Sequence, residues 1–179
     1  MAFSLSNDFQ EIEHFPYQQF KEVWQRIMAA IPKLTEQEEY TVAYFLRSDS
    51  ETNTNWKKIG VQSTLDLSQC MSSDSRCSHD AFLYGKLFLT GIDMADIVVT
   101  DRLHVGIGAM LLGKEVFLLD NSYGKVSGVY EYSMTQCPRV HFVNDVRDLP
   151  SLLEQTITKG QARRTAKQGT LEQIGAMLT

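Results

Sequence analysis

The apolar positions of this chain fall into short β-branched runs separated by stretches with helical spacing. The clearest stretch is Asp96–Lys125, DIVVTDRLHVGIGAMLLGKEVFLLDNSYGK. Ile97–Thr100 is a compact β-branched run and predicts a buried strand. Asp101 breaks the run and is placed to cap the next element. Leu103–Leu112 is apolar almost throughout, which predicts a helix buried on most of its faces. Gly113 suits its C-terminal stop. Val116–Leu119 predicts a second strand. Strand, turn, helix, strand in so short a span is a βαβ unit with parallel strands.

The flanking pattern extends this α/β arrangement. Between Phe15 and Ile31, apolar residues recur at three and four, from Phe20 to Ile31, which predicts a helix closed by Pro32. Glu39–Arg47 predicts a strand, Trp56–Gly60 a short helix, and Ser63–Leu67 a strand holding Asp66. Ser68–His79 is polar and reads as a loop. Ala81–Ile92 predicts a helix with Phe82, Leu83, Leu87, Phe88 and Leu89 as its apolar side. A short helix is expected over Ser127–Tyr132 and a strand over Val140–Val143. Leu149–Ile157 predicts an amphipathic helix with Pro150 in its first turn. Leu171, Ile174, Met177 and Leu178 suggest a terminal helix.

Composition narrows the class without changing the architecture. The chain has 179 residues, 43% hydrophobic and 22% charged, with net charge −5. That suffices for a sizeable core and gives no basis for nucleic-acid binding. No run approaches the length of a membrane span, and no secretory leader is visible in the sequence. The three cysteines, Cys70, Cys77 and Cys137, lack framework spacing, so a reduced, cytoplasmic setting is expected. Cys70, Cys77 and His79 match no regular zinc spacing, and no metal is expected.

The chemistry concentrates at the start of the central helix. Arg102 and His104 fall in its first turn, where free N–H groups and the positive dipole end already disfavour a cation. Cations there make sense if an anion arrives to be shared. The next strand ends in Asp120 and Asn121, with Tyr123 and Lys125 close behind. Ligands of open parallel sheets bind beyond the carboxyl ends of the strands, so these residues are expected to share a crevice. The competing reading pairs Arg102 with Asp101 or Asp120 and makes His104 structural. Arg47, Asp49 and Glu51 lie on one side of their segment if it stays extended. Arg47 is then a second anion clamp, and Asp49 and Glu51 are candidates for binding hydroxyl groups or moving protons.

The TDRLH segment, the DNSYGK segment, YFLRSDSE at Tyr44–Glu51 and MAFSL at the start together resemble the polysaccharide pyruvyl transferase family. The likeness runs from Met1 to about Asn144. Those enzymes move a pyruvyl group from phosphoenolpyruvate to sugar hydroxyls of cell-surface polysaccharides, forming a ketal. The resemblance implies a Rossmann-like parallel sheet flanked by helices, the C-terminal lobe of a two-lobed, GT-B-like transferase. Residues 1–38 are then a linker and interlobe helix, 39–160 the lobe, and 161–179 a C-terminal helix. The N-terminal lobe would lie outside this chain.

The same resemblance implies phosphoenolpyruvate as donor substrate, no cofactor, and a saccharide acceptor. A lipid-linked acceptor would place the protein at the inner face of the membrane. It carries substrate-binding roles onto Asp101 and Leu103 of one motif and onto Asn121, Ser122, Tyr123 and Lys125 of the other. The helix N-terminus, Arg102 and Lys125 are expected on the phosphate, with Arg47 or His104 on the carboxylate. His104 is the first choice for donating a proton to the methylene carbon, since an imidazole titrates near neutrality. Asp49 or Glu131 is the candidate base toward the acceptor hydroxyl.

Other motifs are set aside. Gly106-x-Gly108 is no dinucleotide fingerprint, because Leu111 holds the third glycine position and the glycines lie inside the helix. Close packing on the sheet explains them better. No Walker loop or Gly-x-Ser-x-Gly elbow occurs. The alternatives are a nucleotide-sugar-dependent GT-B glycosyltransferase lobe and a non-catalytic module that retains the fold. Against the former, the chain lacks the two glutamates spaced eight apart that retaining members often carry.

Overall fold

The computed structural model of the chain describes residues 22, 25–27, 29, 40–52, 61, 64–70 and 78–161. Its strands are β1 (Val42–Phe45), β2 (Ile97–Thr100), β3 (Glu115–Leu118) and β4 (Val140–Phe142), in one sheet ordered β1-β2-β3-β4. All neighbours pair in parallel, with Phe45 opposite Thr100, Thr100 opposite Leu118, and Val116 opposite Val140. The helices are α1 (Leu67–Cys70), α2 (Ser78–Asp93), α3 (Leu103–Leu111), α4 (Lys125–Val129) and α5 (149–161). A π-type turn, Tyr130–Met134, continues α4. The protein is thus α/β, a parallel Rossmann-like sheet flanked by helices.

Alternation along the strands divides the core in two. Ala43, Phe45, Val98, Val116, Leu118 and Val140 point to one face, where residues of α2, α3 and α4 cover them. Ile97, Val99, Phe117 and Leu119 point to the other, where Leu149 and Leu153 of α5 pack. β2 is buried at every position, as a central parallel strand must be.

The central βαβ unit follows the sequence pattern closely. Gly113 takes a positive φ of 72° just past α3. Its N–H bonds Met110 O, and the Lys114 N–H bonds Ala109 O, both at 3.0 Å. This is a Schellman stop, which glycine permits at little cost. The two glycines within α3 serve packing. A Cβ on Gly106 would lie 2.5 Å from Leu118 Cδ2, and one on Gly108 would lie 3.1 Å from Ile92 Cδ1. Gly106 brings the helix close to the sheet and Gly108 brings it close to α2.

Several expected elements differ. Residues 64–66 are not strand. Leu65 gives one N–H to Tyr44 O at 3.1 Å, and the chain then turns into α1. Asp66 accepts from the Gln69 N–H at 3.3 Å, so it caps that helix. Of the apolar side expected for α2, Leu87 is buried and Phe88 packs on the core, whereas Phe82 is 69% and Leu89 42% exposed, and Tyr84 and Ile92 are buried as well. α3 buries Val105, Gly106, Gly108 and Ala109 but leaves Leu111 75% exposed, so it is covered on fewer faces than its composition suggests. The helix expected from Ser127 begins at Lys125. Of the helix expected over Phe15–Ile31 the described residues are helical, with Ile27 buried. Trp56–Gly60 and the terminal helix after residue 161 lie outside the described residues.

Gly106→Val should destabilise the protein by about 2 kcal/mol, because a branched side chain has to displace buried Leu118. Gly85, exposed in α2, should behave oppositely, since a Cβ added there would meet nothing within 4 Å. Gly85→Ala should gain roughly 0.5–1 kcal/mol by lowering backbone entropy in the unfolded chain. Urea denaturation of both variants measures the two signs.

Candidate functional site

The carboxyl ends of β1, β2 and β3 carry the candidate residues, and one buried threonine ties the first two ends together. Thr100 Oγ1 donates to Phe45 O at 2.6 Å and accepts the Arg102 N–H at 3.0 Å. It thereby fixes where β1 ends relative to the start of α3. Arg102 is the N-cap of α3 and provides no side-chain cap, and no acidic residue stands in the first turn. Among the described residues the first N–H groups of α3 therefore have no side-chain acceptor, as expected of a helix mouth open to an anion.

Asp101 does not cap α3. Its side chain turns under the segment after β1, where Oδ1 accepts the Arg47 N–H at 2.8 Å. The residue is 1% exposed, and Oδ2 has no hydrogen-bond partner among the described residues. Burial pushes this carboxyl up to about 6, although the Arg47 N–H and the nearby Arg47 and Arg102 charges pull the other way.

Arg102 pairs with neither Asp101 nor Asp120. Its Nε and Nη2 form a fork on Asp66, at 3.1 and 2.5 Å, and Nη2 also reaches Asp49 Oδ2 at 2.8 Å. Nη1 has no hydrogen-bond partner among the described residues. Asp66 is the residue the sequence pattern missed. Its side chain is 5% exposed, and it also accepts from the N–H and hydroxyl of Ser48 at 2.8 and 3.1 Å. Burial alone would raise its pKa, but the Arg102 bonds and the N–H groups of Ser48 and Gln69 outweigh burial and lower it. A signal was present: Asp66 followed three residues later by Gln69 is a capping pattern.

Arg47, Asp49 and Glu51 do come together, though on a turn closed by Thr52 N–H to Asp49 O at 3.2 Å rather than on an extended strand. Arg47 forks onto Asp49 at 2.9 and 3.1 Å and also pairs with Glu51. The Arg47 hydrogen bond, with the Arg102 charge beside it, holds the Asp49 carboxyl at about 2.

The DNSYGK loop folds back onto this turn. The Ser122 N–H bonds Glu51 O at 3.2 Å, and the Tyr123 hydroxyl donates to Glu51 Oε2 at 3.0 Å. Asn121 is 4% exposed; its Oδ1 accepts the Lys125 N–H at 2.9 Å, while Nδ2 has no partner among the described residues. Asp120 braces the loop by accepting from the Ser127 N–H and hydroxyl. The structure thus joins Arg47, Asp49, Asp101, Arg102, Ser122 and Tyr123 through direct bonds and through Glu51. His104 and the Lys125 side chain are exposed, Leu103 packs its half-buried side chain on the core, and Glu131 lies exposed in the π-type turn without a bond to the group.

Hollows lined by described residues lie elsewhere. One of about 590 Å³ is apolar, beside Phe82, Phe88 and Leu89 of α2 and Leu112. One of about 480 Å³ opens at the amino end of the sheet, beside Tyr40, Glu115, Arg139 and His141. Among the described residues no group of His, Cys, Asp and Glu is arranged to hold a metal ion, and no helix is long and apolar enough to cross a membrane.

No family model matches the chain, and no curated protein matches it. A solved structure of an uncharacterised protein from Klebsiella pneumoniae subsp. pneumoniae NTUH-K2044 is 30% identical over 57% of this chain, with a TM-score of 0.41. The chain covers 36% of that protein, about a third of its length.

Asp101 has a pH signature of its own. Between about pH 6 and 4 the folded protein holds a proton on Asp101 that the unfolded chain has released. Its contribution to stability is therefore present below pH 4 and lost as pH rises through 6. Asp101→Asn keeps an acceptor for the Arg47 N–H and removes the buried charge. It should raise stability at pH 7 by up to about 3 kcal/mol, two pKa units' worth, and flatten the change between pH 6 and 4. Urea midpoints at both pH values measure this; a variant less stable than wild type at pH 7 contradicts it.

Proposed function

We propose that this chain is the donor-binding, C-terminal part of a polysaccharide pyruvyl transferase with GT-B-like lobes. The observation that carries the reading is the placement of the DRLH segment. Arg102 stands at the cap, and His104 is open to solvent in the first turn, of a helix that starts at the carboxyl edge of a parallel sheet. The DNSYGK segment, the other half of the resemblance, folds against the Arg47–Glu51 turn on the same edge.

On this reading phosphoenolpyruvate is the donor. Arg102 Nη1, the free N–H groups of α3 and the Lys125 ammonium take its phosphate, and Arg47 or His104 takes its carboxylate. His104 as imidazolium protonates the methylene carbon, which makes C2 electrophilic. A sugar hydroxyl attacks C2, phosphate leaves, and a second hydroxyl closes the ketal. Positioning and charge stabilisation supply most of the acceleration. The saccharide acceptor, lipid-linked in one version of the reading, docks from the side of a second lobe. Of the two candidate bases, Asp49 is bound by two guanidiniums and has little proton affinity in that state, and Glu131 stands apart.

Phosphoenolpyruvate should raise the melting temperature of the chain, and a nucleotide sugar should not. His104→Ala should leave the melting temperature unchanged without ligand, since the side chain is exposed, and abolish the response to phosphoenolpyruvate. Arg102→Ala should abolish it too, and cost about 3 kcal/mol of stability by leaving buried Asp66 without its partner. Stabilisation by nucleotide sugars alone would move the assignment to a glycosyltransferase lobe. An unchanged response in His104→Ala would remove the proposed role of the imidazole.

A further inference from the structure

Asp49 occupies the position that an anionic ligand of two arginines would take. Its Oδ1 accepts from Arg47 Nε at 2.9 Å, and its Oδ2 accepts from Arg47 Nη2 at 3.1 Å and Arg102 Nη2 at 2.8 Å. The two guanidiniums come from the ends of different strands and meet on this one carboxylate. A fork plus a second guanidinium is the arrangement by which proteins grip carboxylates and phosphates.

Each arginine is also held from another side. Glu51 pairs with Arg47, and Asp66 forks onto Arg102. These contacts keep both guanidiniums in place when Asp49 is absent. The carboxylates differ in what fixes them. Asp66 is 5% exposed and takes N–H groups from two segments, whereas the Asp49 side chain is 28% exposed and takes one N–H, that of Glu51 in its own turn, at 3.1 Å. Asp49 can swing toward solvent by rotation of its own side chain, giving up the Glu51 N–H, whereas Asp66 would leave the α1 cap and both Ser48 donors without their acceptor.

We propose that Asp49 is an internal stand-in for a small anion, and that a phosphate or carboxylate group from solution exchanges with it between Arg47 and Arg102. Arg102 Nη1, unpartnered among the described residues, adds a donor that the tethered carboxylate does not use. The exchange has two consequences. The tethered group competes with every incoming anion, so it lowers the apparent affinity of the site. The displaced carboxyl, held at about 2 while it sits between the guanidiniums, regains proton affinity beside the bound anion.

Inorganic phosphate is the probe, titrated into the full chain and followed by calorimetry. Asp49→Asn should bind phosphate at least about tenfold more tightly than wild type, ~1.4 kcal/mol. If Asp49 were an ordinary ligand contact or a purely structural pair, the same change would leave affinity equal or weaker, and that result overturns the proposal. A second readout covers loss of stability. Any fall in the melting temperature of Asp49→Asn should be reversed by phosphate and not by chloride at matched ionic strength; equal rescue by chloride also overturns it. The probe carries no pyruvyl group, so failure of the transferase reading leaves this test intact.

Discussion

The buried carboxylate of Asp101 sets the geometry of the whole carboxyl edge. It leaves β2, the most enclosed strand, and receives the backbone of Arg47 at 2.8 Å, so the segment after β1 lies over the end of β2. Thr100 one residue earlier fixes the last carbonyl of β1 to the same point. Between them these two side chains decide where Arg47 begins its turn. Everything attached to that turn, from the Asp49 bridge to the Tyr123 hydroxyl, inherits its position from them. An ionisable group under a polypeptide segment is unfavourable in the charged form. Its retention in a place that an amide could fill without charge points to a role in geometry and charge rather than in stability.

The polar groups above Asp101 form a continuous chain rather than a set of separate pairs. Glu51, Arg47, Asp49, Arg102 and Asp66 alternate in sign, and each touches the next. Surface ion pairs contribute little individually, but this series is shielded, with Arg47 at 11% and Arg102 at 14% side-chain exposure. Its members come from the β1 turn, the entry to α1 and the start of α3. The network therefore holds these three segments in register above the apolar core that Leu46, Leu65 and Leu67 join.

The central βαβ unit was legible because its strands are short β-branched runs and its helix is flanked by Asp101 and Gly113. The expected limits at Ile97, Thr100 and Leu103 agree with the structure to the residue. Asp66 was not legible as part of the charge chain, because its partner lies 36 positions later in the sequence. Hydrophobic patterning misread Ser63–Leu67 as a strand, since so short a stretch of apolar and β-branched character cannot outvote a capping aspartate. The exposed Phe82 and Leu89 show the same limit. Helical spacing identifies an apolar stripe but not where it centres, and α2 turns Tyr84 and Ile92 inward beside the expected Leu87 and Phe88. Likewise Arg102 and Asp101 are neighbours in sequence, yet Asp101 accepts the Arg47 N–H while Arg102 forks onto Asp66.

The strand order has a further meaning for recognition. Crevices in open parallel sheets arise where adjacent connections depart to opposite faces. Here the helices that follow β1, β2 and β3 all pack on one face, so no such parting occurs among the described strands. Among the described residues the carboxyl edge is accordingly a shelf and not a slot. On the proposed reading an anion resting there is met from one side, by partly shielded charges whose reach through water at physiological salt is about 8 Å. Its capture at this surface then depends on ionic strength and long-range attraction.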